Sequence, residues 1–480
     1  MKIIGQNIIK MMNAKQKIKQ TSLTLQNTQT TKSTSADKKR KIIKRLINSG
    51  LLSLLMIIII VTSLPYTILS YSSLVEYSTL VSLFIFLIVL LFRYFAILIM
   101  AYLYITKYTF NPKTGYFPFV SIIVPVYNEG KVIRESINSL LKLDYSNYEI
   151  IIVNDGSKDD TLEVAKTLVG LQQGRYGDVK VSLINKPNGG KAKALNAGIH
   201  FSKAEIVLCM DGDSQLSEDS IRMAVRHFSD PEIGAVAGNV KVMNRKKLFT
   251  DLQALEYIEG LNMARAAQSF MKLVNIIPGP IGLFRKRAIE DAGYYSSDTF
   301  AEDADLTLKI LAHNWKIYYE PRAISYTEAP EKLQQLLKQR YRWTRGILQA
   351  IRKHKKILVN PTINFGDTFI MWTMFYEALL WPAMNIFSNL FFIFAALFYG
   401  LSSLLFFWWA ALALLDMVTA LYCIAVEKEE FRLIPYALIY RMFFVLTIDI
   451  CKAMSTVEEF LGFEMTWGKL ERIGAKEATA

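Results

Sequence analysis

Hydrophobic positions along the chain fall into two regimes. Long apolar stretches occupy 51–71 and 79–105, and others resume at 375–397, 401–426 and 434–454. Stretches of this length suffice to cross a hydrocarbon core of about 30 Å. The last is interrupted by Arg441, Asp449 and Lys452, so two or three C-terminal spans are open, as is the side of the C terminus. Between the apolar blocks the pattern changes to short runs. FVSIIVPV, YEIIIVND, VKVSLI, AEIVLCMD and IGAVAGNVKV read as strands, and EGKVIRESINSLLKL reads as a helix with Val132, Ile133, Ile137, Leu140 and Leu141 on one face. Further helices are expected from Asp159, Lys191 and Ser217. Strands separated by helices of this length predict an α/β, Rossmann-like, mostly parallel sheet covered on both faces, whose ligands bind beyond the carboxyl ends of the strands. The segment KLQQLLKQRYRWTRGILQAIRKHKKIL that follows is amphipathic and basic, and is expected to lie on the inner membrane surface.

Composition agrees with this division. Hydrophobic residues make up 52% and charged residues 20%, too apolar for a wholly soluble chain of 480 residues. The net charge of +14 is concentrated at the start: residues 1–46 hold twelve Lys/Arg and one acid, Asp37. A basic tail before a hydrophobic span sets topology and touches anionic headgroups, and no nucleic-acid-reading module accompanies it. Three cysteines and four histidines show neither disulfide nor zinc spacing, which fits a reducing compartment. The N terminus does not read as a signal peptide. The expected organisation is a basic, mostly disordered cytosolic tail (1–46) and two N-terminal transmembrane helices (47–105). A cytosolic α/β domain (106–330), an amphipathic interface helix (331–364), C-terminal transmembrane or interface helices (365–460) and a tail (461–480) follow.

The strand ends carry the chemistry. Asn154-Asp155-Gly156-Ser157 suits close approach of a ligand, or is an ordinary Asx turn. Asp211-Gly212-Asp213 ends a strand, where residues i and i+2 face one side; two carboxylates there suit a hard divalent ion, Mg²⁺ or Mn²⁺, or form an exposed acidic turn. Gly189-Gly190-Lys191 opens a helix whose free N–H groups and lysine suit a diphosphate, or is a plain helix start. Glu302, Asp303 and Asp305 open another helix, as dipole partners or as a general base. Gln339, Arg340, Arg342 and Trp343 lie on the basic helix, as membrane anchors or as a phosphate and sugar clamp.

In order, VPVYNE, NDGS, GGKAKALN, DGD, AEDADL and QRYRW resemble the processive, membrane-integrated family 2 inverting glycosyltransferases. This group includes cellulose, hyaluronan, chitin and poly-N-acetylglucosamine synthases. Local wording (NGGKAKALNAG, GAVAGNVKVMNR, QALEYIEG) is most similar to the poly-β-1,6-N-acetylglucosamine synthase type. The resemblance implies a GT-A fold, a UDP-sugar donor and a growing polysaccharide acceptor. By that resemblance Tyr127, Glu129 and Asp155 hold the uridine, Lys191 lies near the diphosphate, Asp211 contacts the donor and, with Asp213, the metal. Asp303, beside Glu302, is the base; Gln339, Arg340 and Arg342 bind the donor; Trp343, Gly279 and Pro280 line the acceptor end. A multi-pass plasma or inner membrane location, a cytosolic catalytic side and unidentified accessory export proteins are also implied. A rival reading is single-sugar transfer to a lipid. Arg93, Glu377, Asp416, Arg441 and Asp449 lie in or near apolar spans, where such groups line a pathway or pair between helices.

Overall fold

The computed structural model describes residues 74–107, 115–359, 365–400 and 402–464; the basic tail and the apolar stretch 51–71 lie outside the described residues. One sheet of nine strands organises the middle of the chain. The strands are β1 (Val120–Val126), β2 (Tyr148–Asp155), β3 (Gly170–Gly174), β4 (Gly177–Lys186), β5 (Ile206–Cys209), β6 (Gln215–Leu216), β7 (Ile233–Val242), β8 (Gly282–Arg285) and β9 (Lys316–Thr327). Their order is β3-β4-β2-β1-β5-β8-β7-β9-β6. The long ladders β4-β2-β1-β5 and β7-β9 are parallel, while β8 runs against both β5 and β7 and joins the two halves. Strands β1 and β5 are buried throughout, which is why they read as unbroken apolar runs rather than alternating ones. Val126 stands opposite Asn154, and Asp155 opposite Lys186, so the carboxyl ends of β1, β2 and β4 reach one level.

Two expectations change here. The helix expected from Asp159 is the six-residue Thr161–Lys166, after which an additional strand, β3, forms an antiparallel hairpin with β4, the strand expected at VKVSLI. Gly170 and Gly177, at φ of 111° and 126°, permit backbone that a helix cannot use. The helix expected from Ser217 is the short Ser220–Ala224, followed by a tighter turn through Val225–Ser229.

Around this unit stand the apolar helices. Among the described residues three are long and apolar enough to cross a membrane: Phe84–Ile105, Phe365–Phe398 and Trp409–Glu427. Phe431–Ile439 and Phe443–Leu461 form a pair bent by 64°, which accounts for the ambiguity of the 434–454 stretch. Phe387, Leu390, Leu397 and Phe398 are exposed along the second, as lipid-facing residues would be. The ionisable residues of these helices pair across helices. Arg93 donates to Glu377 at 3.1 Å, Arg441 to Asp416 at 2.5 and 2.7 Å, and Asn385 to Asp449 at 2.7 Å. Arg93, Glu377, Arg441 and Asp449 border a cavity of about 180 Å³ that Tyr94, Glu256, Glu259 and Trp381 also line.

The amphipathic segment forms the helix Leu333–Lys353. It packs against the helix Glu302–Ala312 of the α/β unit on one side and the terminal helix Leu446–Leu461 on another. Arg345 donates to Glu459 at 2.7 Å and to the Phe463 carbonyl at 2.6 Å, and Gln349 to Glu459 at 3.2 Å.

Candidate active site

Beyond the carboxyl ends of β1, β2, β4 and β5 the candidate residues meet. After β1, Asn128 adopts φ of 52° and turns the chain. The Glu129 N–H donates to Thr161 Oγ1 at 2.7 Å, and Asn128 Oδ1 accepts from the Lys158 N–H at 2.7 Å. This fixes Tyr127 and Glu129 at the strand end. Gly212 lies directly against Glu129: a Cβ there would fall 2.1 Å from Glu129 Oε2.

Asp155, at the end of β2, is 3% exposed. Its carboxylate accepts from the Gly189 and Gly190 N–H groups at 3.0 and 2.8 Å and from the Lys186 ammonium. The glycine loop's N–H groups are therefore not open to a diphosphate as expected; a buried carboxylate needs them first. Their effect is to hold the loop that starts the helix Lys191–Phe201.

Asp211 and Asp213 also differ from expectation. Strand β5 ends at Cys209, and the pair sits in a tight turn closed by the Ser214 N–H on the Asp211 carbonyl at 3.1 Å. Strand alternation does not apply there. Asp213 is buried, while Asp211 accepts an ion pair from Lys191 Nζ at 2.6 Å. The same ammonium reaches Glu302 at 2.9 Å. Gly279 closes the cluster, since a Cβ there would lie 2.9 Å from Lys191 Nζ and 3.0 Å from Asp211 Oδ2. The Pro278–Pro280 turn is itself tied down, with the Pro280 carbonyl accepting from Ser325 and the Ile277 N–H donating to Thr307 at 3.1 Å.

The electrostatics of this cluster follow from burial and mutual proximity. Burial opposes the Lys191 charge, but Asp211, Glu302 and Asp303 outweigh it and hold the ammonium above its ordinary value. Asp303 is pushed up to about 6 by burial and by Glu302, with Lys191 and the Ala304 N–H pulling the other way. A carboxyl near 6 is a competent base at neutral pH. Behind it, Cys209 is raised to about 12 by burial and stays a thiol.

Gln339, Trp343 and Gly346 share one face of the Leu333–Lys353 helix, at spacings of four and seven. Gly346 meets the start of the Asp303 helix, where a Cβ would come 2.6 Å from the Ala301 nitrogen. Arg340 is buried at 2% exposed; it donates to Gln339 at 2.6 Å and to Glu256 through both ends of its fork, and its guanidinium lies 4.2 Å from the Trp343 ring centroid. Arg342 is partly exposed on the same helix.

The sequence does not single out Glu256 and Gln349 as site residues, whereas it does single out Asp305, as a dipole partner or a general base. Glu256 pairs with Arg340 across 84 positions. Gln349 holds the Phe300 N–H at 3.1 Å. Asp305 is fully buried against His354 at 2.9 Å and Lys353 at 3.0 Å, and these contacts overcome burial to keep its carboxyl low. It fastens the Glu302–Ala312 helix to the helix carrying Trp343.

No three His, Cys, Asp or Glu among the described residues converge as a complete metal site. Asp211 and Asp213, two carboxylates in one turn, are a partial set of the hard-oxygen kind that Mg²⁺ or Mn²⁺ shares with phosphates. The set fits such an ion only with donor oxygens completing it.

Comparison with known proteins places this arrangement. Residues 121–293 match the profile of Glycosyl transferase family 2. Over 228 residues the chain is 34% identical to a poly-beta-1,6-N-acetyl-D-glucosamine synthase of Staphylococcus epidermidis, covering 47% of this chain and 54% of that one. It is 33% identical over the same length to a protein of that name from Staphylococcus aureus. The chain thus spans about half the length of the curated relatives it matches. A mannosyltransferase of Pyrobaculum calidifontis, solved in complex with GDP-Man and Mn²⁺, superposes with a TM-score of 0.60 at 22% identity over 82% of this chain and 100% of that one, which establishes the shared fold. With its mixed, mostly parallel sheet and its acids gathered at the strand ends, the α/β unit of this chain has the GT-A fold and is related through residues 121–293 to the family 2 glycosyltransferases, and it is flanked by helices apolar enough to cross a membrane.

Proposed function

We propose that the protein is a membrane-embedded, inverting synthase that polymerises a β-linked N-acetylhexosamine polysaccharide from a UDP-sugar on the cytosolic side. The observation that carries this reading is the single cluster of Lys191, Asp211, Glu302 and Asp303 at the carboxyl ends of the parallel strands, crossed by the helix bearing Trp343. The names of the curated relatives support the polymer and the sugar.

In this reading Asp303 takes the proton of the acceptor hydroxyl as that oxygen attacks the anomeric carbon from the face opposite the nucleotide. One carboxylate suffices because no glycosyl-enzyme forms. Glu302 helps keep Asp303 basic through its own charge. Lys191, held in the donor-free protein by Asp211 and Glu302, meets the diphosphate's growing charge. Tyr127, Glu129 and Asp155 shape the nucleotide end, Arg342 and Gln339 the phosphate side, and Trp343 with Gly279 and Pro280 the acceptor end. Asp211 and Asp213 would hold Mg²⁺ or Mn²⁺, which supplies charge for the departing UDP. The polar cavity among the apolar helices supports a route for the product, because a hydrophilic chain leaving the cytosol needs a polar path through the bilayer.

UDP release by purified protein against a panel of UDP-sugars tests the chemistry. UDP-N-acetylglucosamine should be the preferred donor, excess chelator should abolish release, and Asp303→Asn should lower turnover by roughly 10²- to 10⁴-fold while UDP still binds. A preference for UDP-glucuronate or UDP-glucose would move the reading to a hyaluronan- or cellulose-type synthase. Near-normal turnover of Asp303→Asn would remove the base.

A further inference from the structure

Glu256 lies where the active site meets the membrane helices. It ends the helix Leu248–Glu256, which continues into a wider-wound turn, Tyr257–Asn262, whose Glu259 borders the polar cavity together with Glu256. Local widening of a helix of this kind re-aims side chains and recurs at functional positions. Here it follows the residue that grips Arg340.

The Arg340 guanidinium is almost wholly buried, and a charge so placed requires a close counter-charge. Glu256 supplies it through a two-pronged contact, Nε to Oε1 at 3.2 Å and Nη2 to Oε2. A two-pronged contact fixes the plane of a guanidinium as well as its position. That plane stands 4.2 Å from the Trp343 ring. Gln339, one turn away, accepts a third bond from the same group at 2.6 Å.

We infer that Glu256 is a positioning residue for the acceptor: through the plane of Arg340 it sets the tilt of Trp343, so that one face of the indole is covered and the other receives the terminal sugar of the growing chain as it enters the polar cavity. This rests on the synthase reading above. It gives Arg340 a role distinct from binding the donor, and makes the grip on the acceptor depend on a residue that touches neither sugar.

The experiment uses the full-length protein in lipid, with UDP-N-acetylglucosamine as donor. Glu256→Gln keeps the shape but removes the charge and one of the two acceptors, because the amide nitrogen can only donate and so cannot receive the second prong of Arg340. Its product should shorten roughly tenfold, the order expected when a supporting group lets a binding group drift by a fraction of an ångström, with donor KM unchanged. Arg340→Lys, which keeps the charge but loses the fork, should give the same split. In a Trp343→Ala background, Glu256→Gln should add no further shortening. Additive shortening in that background, or a raised donor KM with unchanged product length, would overturn the inference. Should Glu256→Gln fail to fold, the Arg340→Lys and Trp343→Ala pair decides by the same comparison. Failure of the underlying reading looks different, because the unmutated protein would then make no polymer.

Discussion

Asp303 and Lys191 are the residues whose chemistry is most directly readable. The Asp303 carboxyl lies near 6 because burial and Glu302 disfavour its charge, and Lys191 partly restrains that rise. A base acts only when deprotonated, so kcat should fall as pH is lowered through about 6. Lys191→Gln removes a group that lowers the Asp303 value, so the acid limb should move to higher pH, at whatever residual rate remains. A pH–kcat profile of both proteins checks this; superimposable acid limbs would show that Lys191 does not govern the base. The identities of Lys191, Asp211, Glu302 and Asp303 were legible in the sequence because each follows a strand end or opens a helix. Their geometry was not. Asp211 and Asp213 were expected on one face of a strand, yet the strand stops at Cys209 and a turn separates a buried carboxylate from one paired to Lys191. Likewise the N–H groups of Gly189 and Gly190 look free in the sequence, because the carboxylate that takes them, Asp155, lies 34 and 35 positions away.

The element that converts a GT-A sheet into a site is the helix Leu333–Lys353. Sequence pattern showed its amphipathicity and its basic character, which suit a membrane surface equally well. What it could not show is that Arg340 and Arg345, both nearly buried, are answered by Glu256 and Glu459 from distant helices. Gly346 packs directly against the start of the helix carrying Asp303. Gly346→Val should therefore overpack the contact at about 1–3 kcal/mol and push the start of the Glu302–Ala312 helix outward. Thermal unfolding should show the destabilisation, and turnover should drop further than UDP affinity does. Unchanged turnover in the folded variant would mean that this contact does not place Asp303. Strand β4 was legible through VKVSLI, but its antiparallel partner β3 was not, for a local reason: GLQQG has no alternation of apolar and polar residues, and the exposed Leu171 and Tyr176 carry no core signal. By contrast β1, β2, β5 and β7 were legible as buried runs.

Across the whole molecule, catalytic unit and apolar helices are joined by charge as well as by packing. Asn239 and Lys241 of β7 bond Glu427 and Glu429 at 2.6 and 2.7 Å, and Glu256 spans from the cavity to Arg340. Arg93, Glu377, Asp416 and Arg441 are paired, and several of them also border the cavity, so pairing and lining are not exclusive alternatives here. An enzyme that added one sugar to a lipid would need no such space among its apolar helices. Polymerisation, as proposed, is tested most directly by the size of the product. Full-length protein in sealed vesicles, given radiolabelled UDP-N-acetylglucosamine and Mg²⁺, should yield a ladder or smear of β-linked N-acetylhexosamine chains on a sizing gel, while a single labelled sugar attached to lipid would contradict the account.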